Sequence, residues 1–176
     1  MPTSHPSIIS PVAQKILELK PKTVLDIGVG FGKWGALARE YTDIWAWRFY
    51  RNEWRTQIDG IEVHKEYKSP NWDNYNRICI GLAETILPTL ETYDLIIFLE
   101  VLEHIDKATA LEFLKEVFKH TKIALISYTN SPQSNVRDND YEEHVSTWEQ
   151  YELEQFGTVE LLHKFDETYV YLVTSR

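Results

Sequence analysis

The order of apolar runs predicts an α/β fold, a mostly parallel sheet covered by helices on both faces, and three observations carry that reading. Short β-rich runs alternate with helical patterns or loops along most of the chain. The first of them opens directly into a glycine-rich turn followed by a helical pattern. The chain also closes with two strand patterns joined by Asp166-Glu167, which predicts a terminal antiparallel pair.

Taken in order, VAQKILEL places Val12, Ile16, Leu17 and Leu19 near helical spacing, and Pro21 ends that helix. TVLDI (23–27) is the first strand and KWGALAREY (33–41) the helix after its glycine turn. IDGIEV, RICI, YDLIIFL and KIALISY supply four more strands. Before the last of these, ALEFLKEVF sets Leu111, Leu114 and Phe118 on one helical face. A helix over TWEQYELEQF then precedes the closing strands VELLHKF and TYVYLVTS. Two segments fit this alternation poorly: an aromatic and arginine-rich insertion at 41–57, and a polar, lid-like run at 129–144.

The 176 residues, 43% hydrophobic and 26% charged, predict one soluble domain spanning 1–176. No run is long enough for a bilayer span and the first residues lack a leader pattern, so a cytoplasmic protein without a membrane partner is expected. The single Cys79 excludes an intrachain disulfide and a thiolate-rich metal site, and its place in RICI predicts a buried thiol. A formal net charge of −9 argues against a nucleic-acid partner, because phosphate binding is dominated by Lys and Arg. No pattern speaks to the oligomeric state.

The turn VLDIGVGFGKWG holds Asp26, Gly28, Gly30 and Gly32. Glycines there let the backbone approach a ligand, and the following helix offers unpaired N–H groups. The spacing also satisfies a dinucleotide pattern through Gly30, Gly32 and Gly35. Asp26 separates the alternatives: a carboxylate before the first glycine repels a pyrophosphate but suits S-adenosylmethionine, which carries an ammonium and a sulfonium. Glu62, at the end of the second strand, stands where an acid accepts hydrogen bonds from ribose hydroxyls.

With these residues placed, the chain resembles the class I S-adenosylmethionine-dependent methyltransferases. Asp26, Gly28, Gly30 and Gly32 match their first motif, Glu62 their ribose-binding acid, and YDLIIFLEVLEHI their fourth-strand signature. The resemblance implies a Rossmann-like seven-stranded sheet with an antiparallel terminal strand. It also implies a cofactor site made by Asp26, Gly28, Gly30, Gly32, Glu62, Val63, Leu82, Ala83 and Leu99. Two departures stand out: Gly32 and Glu62 are more widely spaced than is usual, and Leu82 stands where many members carry an adenine-binding Asp. Adenine is then expected against the backbone of Leu82 and Ala83 and the side chain of Val63.

At FLEVLEHID, a helix starting near Glu100 would set Glu100, Glu103 and His104 on one face, with His144 arriving from the run after the fifth strand. Three readings stay open. The cluster shapes the wall of the site; or His104 or His144, beside Glu100, acts as a catalytic base; or Glu100, Glu103, His104 and His144 hold Mg²⁺, Mn²⁺ or Zn²⁺. The metal reading comes from similarity to 3′-terminal small-RNA 2′-O-methyltransferases, and ubiquinone-pathway O-methyltransferases look alike here.

The insertion, with Trp45, Trp47, Phe49, Tyr50 and Trp54 among Arg48, Arg51 and Arg55, has two readings. It stacks and pairs an acceptor, or it lengthens the preceding helix and completes the core with its tryptophans. The expected activity is S-adenosylmethionine-dependent O-methylation of a small-molecule or sugar-containing acceptor. The alternatives are a metal-assisted RNA 3′-end 2′-O-methyltransferase, an NAD(P)-dependent oxidoreductase, and a non-catalytic partner or sensor domain that binds the cofactor.

Overall fold

The computed structural model describes residues 3–134 and 139–176. Helix α1 (Ile9–Leu19) ends at Lys20, which takes a left-handed conformation before Pro21. Strand β1 (Thr23–Ile27) leads through the glycine turn to α2 (Lys33–Thr42). Then follow β2 (Gln57–Glu62), β3 (Arg77–Ile80), the short α3 (Ala83–Ile86), β4 (Leu95–Leu99), α4 (Lys107–His120), β5 (Ile123–Thr129), α5 (Gln150–Glu154), β6 (Gly157–Phe165) and β7 (Thr168–Ser175).

The seven strands form one sheet in the order β3-β2-β1-β4-β5-β7-β6. Its first five strands run parallel, while β7 is antiparallel to both β5 and β6. The uninterrupted apolar run LIIFL makes β4 a central strand buried at every position. Leu95, Ile97 and Leu99 pack with α1 and α2, and Ile96 and Phe98 pack with α4 and α5 on the other face. Strand order reverses at β1, so the carboxyl ends of β1, β2 and β4 frame a crevice.

Several local expectations are corrected. Cys79 is half-buried rather than buried, because β3 is an edge strand. Helix α5 spans only Gln150–Glu154, with Glu149 capping it. The lid-like run is described at 129–134 and 139–144; positions 135–138 lie outside the described residues.

The aromatic insertion does not lengthen α2. That helix stops at Thr42, and two short 3-10 turns (Ile44–Ala46 and Arg51–Glu53) carry the chain to β2. Nor do its tryptophans complete the core: Trp45 is 64% exposed and Trp47 81% exposed, while Trp54 is half-buried beneath the Arg39 guanidinium. The organiser is Asp43, fully buried, whose carboxylate accepts from the Arg39 guanidinium, Arg48 Nε (2.6 Å) and the Arg55 amide (2.9 Å). Since α2 starts at the crevice and runs back against β1, the insertion lies at the opposite edge of the sheet, where the parallel strands begin.

Candidate active site

A cleft of about 330 Å³ occupies the crevice at the strands' carboxyl ends. Gly28 (φ 83°) and Gly30 (φ 52°) line it in the left-handed region, where a side chain is strained. A Cβ on Gly28 would also stand 2.5 Å from Val101 Cγ2. Gly32 is a different case. It lies behind the wall as the N-cap of α2, and a Cβ there would meet Asn71 Cβ at 2.9 Å.

The turn is held from below by residues 69–75. Trp72 Nε1 donates to the Gly30 carbonyl (2.8 Å), and Ser69 Oγ and Asn71 Nδ2 donate to that of Phe31 (2.7 and 3.2 Å). The Tyr75 hydroxyl accepts from the Gly35 amide (2.9 Å) and donates to Asp26 Oδ2 (2.5 Å). Asp26 is therefore not where the ligand argument put it. It is 1% exposed, off the cleft wall, and serves to seat Tyr75. Burial raises its pKa to about 7 despite the Tyr75 hydrogen bond, with a further push from the Glu62 charge.

Glu62 does face the cleft. Its Oε2 accepts from the Gly30 amide (2.6 Å) and its Oε1 from the His64 amide (2.8 Å), so the acid also fixes the turn it faces. A carboxylate offers about four lone-pair sites; the Val63 amide also bonds Glu62, and what remains is open to a ligand. Val63, Leu82, Ala83 and Leu99 complete this end of the wall.

After β4 the chain does not enter a helix at Glu100. That residue is left-handed (φ 54°), its amide bonds to the carbonyl and hydroxyl of Ser127, a 3-10 turn covers Leu102–His104, and α4 begins only at Lys107. The three residues consequently diverge. Glu100 faces the cleft near Lys33 and accepts from the His5 amide (3.4 Å). Glu103 turns inward, fully buried, with Oε1 accepting from the Thr129 amide (3.1 Å) and Oε2 without a partner among the described residues. Burial pushes the Glu103 carboxyl up to about 8.

His104 lines the cleft, and His144 stands behind it at 4.8 Å between ring centroids. Each Nδ1 meets a backbone carbonyl, Glu143 at 3.0 Å and Ser131 at 2.6 Å, so each Nδ1 carries a proton, and in a neutral ring Nε2 is the nitrogen that keeps the lone pair. Burial pushes the His104 pKa down. Glu103, His104 and His144 offer one ligand atom each within 4.8 Å of one another. Glu100 is not in that group, which corrects the four-ligand expectation.

A family model described as a methyltransferase domain matches residues 6–169. The chain belongs to the class I S-adenosylmethionine-dependent methyltransferases. No curated protein sequence matches this methyltransferase. Among solved structures, it is similar to the N-terminal domain of EvdMO1 determined in the presence of SAH and D-fucose: 15% identity, TM-score 0.67, covering 99% of this chain and 85% of that one. It is similar to the methyltransferase domain of bacterial CtHen1-C at 19% identity and TM-score 0.63, over 94% and 95% of the two chains. A Bacillus cereus O-methyltransferase in complex with SAH matches at 11% identity and TM-score 0.64, over 98% and 83%. These likenesses confirm the Rossmann-like fold, and the family match sets the nicotinamide alternative aside.

In the methyltransferase, no residue of the insertion 41–57 lines the cleft. Sequence reasoning missed several of the groups that close it. Thr3 and Ser4 line one side, where Lys33 Nζ donates to the Ser4 carbonyl (2.6 Å). Across the mouth, the Tyr67 hydroxyl donates to Glu142 (2.8 Å) and accepts from Asn139 (2.8 Å), joining the loops after β2 and β5. The Tyr67 pKa is pushed up to about 12 by burial and by Glu142. Lys33, directly after the third glycine, left a readable signal, and Asn139 and Glu142 fall within the run 129–144 that the sequence marks as lid-like. Among the described residues, no helix is long and apolar enough to cross a membrane.

Proposed function

We propose that this cleft holds S-adenosylmethionine and that the domain, acting in the cytoplasm, methylates a hydroxyl oxygen of a small-molecule or sugar-containing acceptor. One observation carries the reading: among the described residues the wall presents Glu62, Glu84, Glu100, Asp106 and Glu142 against a single cation, Lys33. Such a wall favours a ligand bearing an ammonium and a sulfonium and opposes pyrophosphate or an RNA end. When bound, the cofactor supplies an electrophilic methyl group. Gly28 and Gly30 give its backbone contact, Glu62 accepts from the ribose hydroxyls, and Val63, Leu82, Ala83 and Leu99 take the adenine. His104, kept neutral by burial and with Nε2 unprotonated, is the group suited to take the acceptor's hydroxyl proton. Positioning supplies most of the remaining catalysis.

Calorimetric titration with S-adenosylmethionine, SAH and NADH tests this. The first two bind and NADH does not, and Glu62→Gln weakens both by roughly tenfold, the worth of about 1.4 kcal/mol. Binding of NADH alone would overturn the proposal.

A second reading has its own observation, the group of Glu103 Oε2 with two histidines whose Nδ1 protons are anchored on carbonyls, as metal-ligating imidazoles are. Glu103, His104 and His144 would hold the divalent ion, which would acidify the acceptor hydroxyl. Elemental analysis of protein purified without chelator decides it: stoichiometric metal lost in His144→Ala supports this reading, and metal-free active protein removes it.

A further inference from the structure

The edge of the sheet opposite the cleft carries a feature that methyl transfer does not use. Trp45, Trp47, Phe49 and Tyr50 are 64%, 81%, 52% and 70% exposed on one short loop, and Trp47 and Phe49 meet edge to face at 5.6 Å. Contiguous aromatic exposure of this kind marks an interaction surface rather than a solvated loop. The surface is held in place: Asp43 gathers Arg39, Arg48 and the Arg55 amide beneath it, and Arg51 donates to the Asp73 carbonyl (2.7 Å). Trp47 sits in the left-handed region (φ 62°), an unfavourable conformation for a bulky side chain that here directs an indole into solvent.

We propose that this edge is a two-fold self-association surface on which a second copy of the chain packs through the same residues. Area and charge name that occupant. At about 200 Å² per aromatic side chain, the exposed fractions leave on the order of 500 Å² per face, so two faces together reach the roughly 1,000 Å² a specific interface needs. A two-fold contact must be self-complementary. The exposed turn alternates Arg51, Glu53 and Arg55, so an antiparallel apposition sets Arg55 against the partner subunit's Glu53 around an aromatic centre. Trp, Tyr and Arg are the side chains that dominate such centres, and the loop contains no lysine. The net charge of −9 disfavours an anionic membrane as the occupant. Both clefts remain open on the outer sides of such a dimer.

Sedimentation equilibrium of the whole chain at micromolar concentration tests the proposal. A dimer is expected, weakened at least tenfold in the double variant Trp45→Ser with Trp47→Ser, with circular dichroism melting confirming that the variant stays folded. Should that variant unfold, Arg55→Glu weakens the dimer from the rim, and Glu53→Arg added to it restores association. A monomer at every concentration, or a dimer indifferent to these changes, overturns the proposal.

Discussion

The two edges of the sheet use the same device for opposite ends. At the carboxyl edge, left-handed residues withdraw side chains: Gly28 and Gly30 empty a space that carboxylates then surround. At the other edge, left-handed Trp47 pushes a side chain out, over a floor of arginines gathered on Asp43. Residue type alone does not say which edge binds the small ligand. The tryptophans look like a stacking site, yet α2 carries them a full helix length away from the cleft, so topology decides what composition suggests.

The contrast yields measurements, the largest first. Arg39→Met leaves Asp43 buried with Arg48 as its one remaining guanidinium, and costs about 3 kcal/mol, at the low end for a broken buried pair. Its melting temperature should fall by about 6–12 °C; a loss below a degree would mean that the charged floor does not hold the aromatic loop.

Asp26 probes the cleft edge through pH. Its folded pKa of about 7 lies above the ordinary 3.8, so the folded state holds the proton more tightly. Stability from this group is complete below the unfolded pKa and is lost as pH rises through the folded one. Melting should therefore drop by several degrees between pH 5 and pH 8, while Asp26→Asn, which keeps an acceptor for Tyr75, should show a clearly smaller drop, the remainder coming from Glu103, whose carboxyl is raised to about 8. Equal slopes for the two proteins would remove Asp26 as the cause.

The smallest effect should be a gain. Trp47→Gly relieves the left-handed strain and should stabilise the monomer by about 1 kcal/mol in denaturant titration, offset in part by the glycine's own chain entropy. No gain would mean that contacts within the loop, not the strain, set Trp47's conformation.

Much of this was legible in the sequence because its signals are local. Apolar runs gave every strand, and the unbroken LIIFL stretch marked the central one. The glycine turn and Glu62 could be placed because their geometry follows from a strand ending where a helix begins. Glu100 was misread because a left-handed non-glycine residue leaves no sequence signal, and the helix that spacing suggested starts later, at the Asp106 cap. Asp26 was misassigned because its partner, Tyr75, comes from a loop far along the chain. Thr3, Ser4 and the Tyr67, Asn139 and Glu142 contacts are likewise tertiary, made by segments with no periodicity of their own.

The stretch from Ser69 to Asn76 touches both edges. Its first half grips the carbonyls of Gly30 and Phe31, while its second half receives the Arg39 and Arg51 guanidiniums on Asn74, Asn76 and Asp73. It works as a tie rod through the thickness of the domain, whose length sets where the cofactor turn rests. Lengthening or shortening it by one residue would detune the cleft without altering any residue on its wall, and a load applied at the aromatic edge has a bonded path to the glycines.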